Sequence, residues 1–271
     1  MSLWEKRMSK IYHQSTLWLT IDIEQLADAN FGVTIVQDPQ IDYEKIIDEW
    51  IEMCAQLNIK TTCFVLGSFA KKYPQSIQKL AQNGHEIASH GLTHELVYNQ
   101  SFEEFQHSIT ESKRILEEIT HQKVTGYRSA SWSLPFDKKY YNALAKAGYS
   151  YSSSYFPFKT YMYGNSIDRK APFTISTPSG EITEFPLLKS YLPFSGGFYL
   201  RVFPLWLITF FIKILLRQGN KPIIYTHPYE ISGKYLLWRM KDKIKINLAY
   251  LLAFAETTPT QKKLQKLLMQ L

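Results

Sequence analysis

The sequence predicts an α/β fold, a single-domain distorted or incomplete (β/α) barrel. Three observations carry this. Short apolar runs rich in β-branched and aromatic residues alternate with longer stretches at helical spacing, the pattern of a parallel sheet covered by helices. Four polar patches, Asp22-Ile23-Glu24, His90-Gly91-Leu92-Thr93-His94, Gly126-Tyr127-Arg128 and His227-Pro228, each follow or end such a run, where α/β folds collect their chemistry. No repeat, low-complexity stretch or linker divides the 271 residues, and 45% hydrophobic content suffices for a large core.

Leu17 to Ile21 reads as a first strand ending at Asp22. A loop with Asn30, Gly32 and Pro39 follows, then a helix over Ile41 to Leu57 with Ile46, Ile47, Trp50, Ile51 and Cys54 on one face. Thr61 to Leu66 is a second strand closed by Gly67, and Tyr73 to Gln82 a helix stopped by Asn83-Gly84. Glu86-Ile87-Ala88 is a third strand leading into His90. Ser101 and Glu104 have the form of a capping box, and Phe102, Phe105, Ile109 and Leu116 continue that helix. Val124 to Tyr127 is a fourth strand with Arg128 at its end, Lys138 to Lys146 a helix stopping at Gly148, and Tyr149 to Tyr151 the start of a fifth strand. Tyr155 to Gly197 reads as loops with short β pieces, including Ile182 to Phe185. Pro222 to Thr226 is a late strand delivering His227, and basic helices finish the chain.

Cys54 and Cys63 make no disulfide framework, and Cys63 reads as a small core filler within a strand. The net charge of +7 is localised: Arg201 to Lys245 holds nine basic and two acidic residues, and the remainder is balanced. No nucleic-acid motif accompanies it. Met1 to Gln14 is charged and lacks an apolar core segment, so no secretory leader is predicted. The longest apolar run, Val202 to Leu216, is interrupted by Pro204, Thr209 and Lys213 and falls short of the about 18 residues that span a bilayer. These features predict a cytoplasmic protein. The basic and apolar stretch also suits peripheral contact with an anionic membrane surface; in the competing reading Pro204, Trp206 and Phe210 are buried in an ordinary wall helix.

The patches supply the parts of a metal-assisted hydrolytic site. His90 and His94 lie one helical turn apart if that segment is helical, so both rings can face one ion. Imidazole suits zinc and other first-row divalent metals. Asp22 and Glu24, at i and i+2 of an extended chain, share a face; one can bind metal while the other takes a proton from water. Arg128 can pair with a site carboxylate and fix its rotamer. His227 can donate a proton to a leaving nitrogen.

At these residues the chain resembles the polysaccharide deacetylases, carbohydrate esterase family four, with a fold of NodB-homology type. The resemblance runs from about Leu17 to Glu230. Thr20-Ile21-Asp22-Ile23-Glu24 resembles a branch whose first motif has an Asp-Val-Glu form, where most of the family has Thr-Phe-Asp-Asp. The His-x-x-x-His motif matches His90 and His94. Arg128-Ser129-Ala130-Ser131 stands for Arg-x-Pro-Tyr, and Ile223 to His227 for the apolar strand ending in His. Thr62 to Gly67, Gly196-Gly197-Phe198-Tyr199-Leu200-Arg201 and His227-Pro228-Tyr229-Glu230 also resemble that branch.

The resemblance implies one deacetylase-like catalytic domain over 1–271, with a motif-bearing core about 17–230 and basic C-terminal helices about 234–271. It implies a divalent metal, zinc first among the candidates, held by His90, His94 and Glu24, and a reaction that removes N-acetyl groups from a sugar of a cell-surface polysaccharide or a lipid-linked precursor. Asp22 is then the base, Arg128 its tether, His227 the general acid and the Ser131 backbone N–H an oxyanion donor. Trp132, close after Arg128, is expected near the site mouth, where an indole can stack on a sugar. Ser152 stands where the branch often has aspartate, which predicts a weaker network around Arg128. The rivals are another carbon–nitrogen hydrolase on this fold, acting on a cyclic amide or formamide, and a non-catalytic glycan-binding or assembly protein.

Overall fold

Strand β1 (Trp18–Ile23) serves two cores at once, because successive side chains of a strand point to opposite faces. Leu19, Ile21 and Ile23 join a large cluster with the surrounding helices, whereas Trp18 joins a second, aromatic cluster with Phe64, Tyr151, Phe185 and Ile223. In this computed structural model, residues 11, 16–29, 41–157, 171–188, 194–231 and 260–271 are described. The loop with Asn30, Gly32 and Pro39, and the segment 232–259 that holds most of the expected basic helices, lie outside them.

Chain order after β1 is α1 (Tyr43–Gln56), β2 (Thr62–Val65), α2 (Gly67–Lys72), α3 (Pro74–Gln82), β3 (Glu86–Ser89), α4 (Phe102–Thr120), β4 (Gly126–Tyr127), α5 (Lys138–Lys146) and β5 (Tyr151–Ser152). Then follow β6 (Phe173–Thr177), β7 (Gly180–Glu184), α6 (Gly197–Val202), α7 (Leu205–Arg217), β8 (Ile223–Thr226), α8 (Pro228–Ile231) and α9 (Thr260–Met269). Among the described residues eight strands form one sheet in the order β6-β7-β5-β4-β3-β2-β1-β8, parallel except for the β6–β7 hairpin. β6 and β8 end the sheet unpaired with each other, so the barrel is incomplete.

The aromatic cluster shows the curl. Trp18 of β1 meets Phe64 of β2 at 6.1 Å, and also Tyr151 of β5 at 6.0 Å and Phe185 at 5.1 Å, across strands that intervene in the sheet order. These rings fill the floor of the half-barrel. Thr20, Asp22 and Glu24 follow Trp18 on the same side, rising about 7 Å per two residues toward the carboxyl ends of the strands.

Local chemistry sets the helix boundaries. Asp42 caps α1 by accepting from the Lys45 N–H, and Ser101 and Glu104 form the reciprocal capping box of α4. Pro74 opens α3, and Asp137 caps α5.

The structure differs from the sequence reading in several of its elements. β1 runs one residue past Asp22. Gly67 opens α2 instead of only closing β2, because its N–H and that of Ser68 are tied to the Gly91 and Leu92 carbonyls. β6 was not named among the short β pieces expected between Tyr155 and Gly197; its burial alternates, with Ile175 buried between exposed Thr174 and Ser176, but at five residues it is short and carries only two apolar side chains, Phe173 and Ile175. The run Val202–Leu216 is two helices, since Pro204 cannot donate the backbone hydrogen bond that would join α6 to α7.

Candidate metal centre and active site

Glu24, His90 and His94 meet above the aromatic floor, with one potential ligand atom of each lying within 4.8 Å of the others. Strand β1 delivers Glu24 just past its end, and β3 delivers His90. The segment from His90 to His94 is not helical, correcting the spacing argument. It is a loop, because Gly91 has φ +94°, where a Cβ would be strained, and because its backbone is already committed. The Gly91 N–H donates to Ser89 Oγ at 3.1 Å and the Leu92 N–H to Ser108 Oγ at 3.0 Å. The loop still brings the two rings together, 5.4 Å between centroids.

Each group is oriented by a second contact. His90 Nδ1 lies 2.9 Å from the Arg128 carbonyl, an acceptor only, and this contact fixes the ring so that Nε2 faces Glu24 Oε2, 3.6 Å away. His94 Nε2 is 2.8 Å from the same oxygen. The Tyr229 hydroxyl donates to the other oxygen, Glu24 Oε1, at 2.9 Å. Glu24 Oε2 is buried and accepts no well-formed hydrogen bond. Burial works to raise the Glu24 carboxyl, yet His94, His90 and His227 outweigh it and hold it well below the usual range. Burial likewise opposes charge on His94, but Glu24 outweighs it and raises that imidazole. A buried carboxylate kept ionised, one oxygen tied and the other facing two imidazoles, fits a divalent cation.

Asp22 sits beside this group in a buried pair. Arg128 Nη1 donates to Asp22 Oδ1 at 2.6 Å and to Thr20 Oγ1 at 2.8 Å. Its Nε donates to the Ser153 carbonyl at 3.2 Å and its Nη2 to Ser153 Oγ at 3.0 Å. The guanidinium also lies 3.9 Å over the Phe64 ring. Thr20, Asp22 and Ser153 thus share the Arg128 donors, while Ser152, where the resembling branch often has aspartate, donates to Ser154 Oγ at 2.9 Å.

Glu184 holds that serine segment in place. It is fully buried at the end of β7, in register with Ser152, and Oε1 accepts the Ser154 N–H at 2.7 Å and the Tyr155 N–H at 2.9 Å. Burial raises its carboxyl. Glu184→Ala is expected to leave two buried N–H groups unpaired, costing roughly 1–3 kcal/mol each in denaturant unfolding. Glu184→Gln keeps the acceptor and is expected to cost under about 1 kcal/mol. Equal losses in both would mean that the charge matters rather than the hydrogen bonds.

His227 ends β8 on the far side of Glu24, its Nε2 3.9 Å from Glu24 Oε1. Its side chain is 17% exposed against 1% for Glu24, so it faces the opening. Nδ1 and the backbone N–H both bond to Glu230 Oε2, at 2.9 and 3.0 Å, and the ring stacks on Tyr229 at 5.0 Å. Arg201 Nη1 donates to Glu230 Oε1 at 2.6 Å. Burial alone would raise Glu230, but Arg201 and His227 bring it down to about 2. Burial alone would lower His227, but Glu230 and then Glu24 and Asp22 raise it to about 9. Gly197 is required here, since a Cβ would stand 1.9 Å from Glu230 Oε2.

Ser131 and Trp132 occupy a turn with φ of 48° and 51°, unusual for residues with side chains. Hydroxyls hold it: Ser129 Oγ accepts the Leu134 N–H at 3.1 Å and Ser133 Oγ the Val97 N–H at 2.9 Å. The Trp132 ring is 6% exposed, 4.5 Å from Tyr225 and 5.5 Å from the Arg128 guanidinium, and so forms part of the wall below His227. Cys54 and Cys63 are buried thiols, the first pushed up to about 12 by burial, and neither belongs to the site.

Sequence reasoning assigned no role to Glu230, Arg201, Tyr229, Glu184, Thr20 or Ser153. Glu184 ends β7, but that strand holds Ile182 as its one aliphatic residue and so lacks the apolar run that singled out Asp22 and Arg128. Glu230 is visible as a carboxylate three residues past His227.

Comparison with known proteins bears on the family and the fold. A family model described as polysaccharide deacetylase matches residues 13–152, and one described as a domain of unknown function (DUF3473) matches 153–271. The sheet crosses that boundary, because β8 pairs with β1 and β7 with β5. Glu24, His90, His94, Asp22 and Arg128 come from the first segment, and His227 and Glu230 from the second. A peptidoglycan-N-acetylglucosamine deacetylase of Bacillus cereus is 28% identical over 92 residues, 34% of this chain and 32% of that protein. The chain thus matches about a third of that relative's length. Among solved structures, an assigned polysaccharide deacetylase from Mycobacterium smegmatis superposes with TM-score 0.64 at 16% identity, covering 95% of this chain and 85% of the other. An allantoinase superposes with TM-score 0.59 at 13% identity, covering 94% and 84%. The two superpositions share the fold, and the family match spans more than half of the sequence. The chain belongs to the polysaccharide deacetylase family.

Proposed function

We propose that this protein is a metal-dependent deacetylase of an N-acetylated sugar within a polysaccharide or its precursor, built as one domain from both matched segments. The observation that carries the reading is the buried Glu24–His90–His94 group, flanked on one side by the Asp22–Arg128 pair and on the other by the His227–Glu230 pair. The named activity of the Bacillus cereus relative supports an N-acetyl sugar as the substrate class.

Glu24, His90 and His94 hold the divalent ion, with zinc the first candidate. Such an ion supplies Lewis-acid polarisation of a carbonyl and lowers the pKa of water. Asp22, oriented by Arg128, takes a proton from the attacking water. The water oxygen bonds to the acetyl carbon, and the Ser131 backbone N–H donates to the oxyanion. His227, charged through its contact with Glu230, gives its Nε2 proton to the sugar nitrogen as the C–N bond breaks, leaving acetate and a free amine. Trp132 backs the wall on which the sugar rests. Glu24 is taken as the third ligand because its Oε2 faces both imidazoles, whereas Asp22 is bonded to Arg128.

A product assay on N-acetyl glycan oligomers tests this. Acetate release that stops with a chelator and returns with a divalent ion is expected. Release of ammonia or formate from cyclic amides or formamides, without acetate from glycans, would favour the rival hydrolase. Metal binding with neither product would favour a binding protein.

A further inference from the structure

α6, α7 and α9 present an outward face that the catalytic reading does not use. Their inward face is well filled: Ile208, Phe211, Ile212 and Leu215 of α7 and Leu264 and Leu267 of α9 are buried. Outward, Trp206 is 70% exposed, Phe210 52% and Val202, at the end of α6, 39%. With Lys213 and Arg217, both exposed, the α7 residues recur at spacings of four, three and four and so form one stripe, aromatic at one end and basic at the other. On α9, Lys262, Lys266 and Met269 are exposed at the same spacing. The reading in which Trp206 and Phe210 are buried is therefore overturned.

The charge on this face has one sign. Among the described residues of 194–231 and 260–271 the sole acidic residue is Glu230, which is buried and bonded to Arg201. Single exposed apolar residues are ordinary on a protein surface. An exposed tryptophan and phenylalanine in line with lysine and arginine, with no exposed acidic residue among the described residues of these segments, is instead the arrangement of helices that lie at a membrane interface. A second copy of the chain fits less well, because the described part of this face offers no acidic residue to meet its lysines and arginines, whereas a phospholipid surface supplies phosphates.

We propose that this face docks on an anionic phospholipid bilayer, with Trp206, Phe210 and Val202 entering the headgroup layer and Lys213, Arg217, Lys262 and Lys266 meeting lipid phosphates. The contact does not depend on the deacetylase reading, yet it bears on it. Val202 faces outward while its neighbour Arg201 faces inward to Glu230, and Lys263 Nζ ties α9 to the Arg201 carbonyl at 2.8 Å. The docked face is thus the outer side of the wall that carries His227. A membrane-anchored glycan precursor would meet the site from that side.

Sedimentation of the full chain with phosphatidylcholine vesicles and with vesicles enriched in phosphatidylserine tests this. Binding to the second alone is expected, weaker at about 0.15 M salt than at low salt. Lys213→Glu and Arg217→Glu are each expected to weaken binding at least about fivefold. Trp206→Ser is expected to weaken it at least about tenfold. All three positions are exposed, so thermal unfolding near that of the wild type serves as the folding control. Absence of binding, equal binding to both vesicles, or variants that bind like the wild type would each overturn the proposal. So would self-association of the chain, seen by light scattering, that Trp206→Ser abolishes in place of vesicle binding.

Discussion

Replacing His90 or His94 by alanine is expected to empty the metal centre, whereas Asp22→Asn is expected to keep the metal and lose about 10²–10⁴-fold in turnover. The division follows from the contacts. His90 Nε2 and His94 Nε2 both face Glu24 Oε2, while Asp22 is bonded to Arg128. Elemental analysis after dialysis should give about one divalent ion per wild-type chain. Occupancy also has a thermal readout: an ion present at about 100 times its Kd adds about 2.7 kcal/mol to unfolding, a gain that a chelator removes and that the histidine variants lack. Asp22→Asn has a second consequence. Arg128 is fully buried, and removing its carboxylate partner is expected to destabilise the fold by about 3–5 kcal/mol, so turnover must be compared at a temperature where the variant is folded. Full metal occupancy in both histidine variants would place the ligands elsewhere. Loss of the ion in Asp22→Asn would make Asp22 a ligand and leave the base unassigned.

The sequence revealed the strands and the residues at their ends because both depend on short-range signals. Thr62–Val65 and Ile223–Thr226 are buried along their length apart from the half-buried Tyr225, and such strands read as near-continuous apolar runs. The capping residues Asp42, Ser101 and Asp137 act within three residues of themselves, so the helix starts were readable. Contacts between distant segments left no such trace. Tyr229 meets Glu24 across 205 positions, and Arg201 meets Glu230 across 29. No periodicity records which buried arginine will face which buried carboxylate. The loop from His90 to His94 failed for a related reason: i,i+4 spacing suggests a helix, but the turn at Gly91 and bonds from Ser89 and Ser108 decide otherwise. The exposure of Trp206 was equally hidden, since it depends on which face of α7 the rest of the barrel wall covers.

Glu230→Gln is expected to show whether the second matched segment completes the catalytic apparatus. Arg201 is buried, and its partner's charge would vanish, so a loss of about 3–5 kcal/mol is expected. Turnover should fall by up to the about 10²–10⁴-fold that a general acid contributes, with metal occupancy unchanged. The pH dependence of unfolding of the chelator-treated protein separates these effects. Glu230 titrates near 2 when folded against an ordinary 4.5, so its contribution is whole above 4.5 and is lost as the pH falls toward 2. His227 titrates near 9 when folded against an ordinary 6.5, so its contribution is whole below 6.5 and is lost as the pH rises through 9. Stability from this pair should therefore be greatest between those two ordinary values and decline on either side. Glu230→Gln removes the acid flank outright. It also pulls the alkaline decline down toward 6.5, because the strongest of the influences that raise His227 is gone and only Glu24 and Asp22 remain to raise it. Wild-type and variant curves that run parallel from about pH 3 to about pH 10 would mean that Glu230 does not set the charge of His227. The role of general acid would then lose its physical basis.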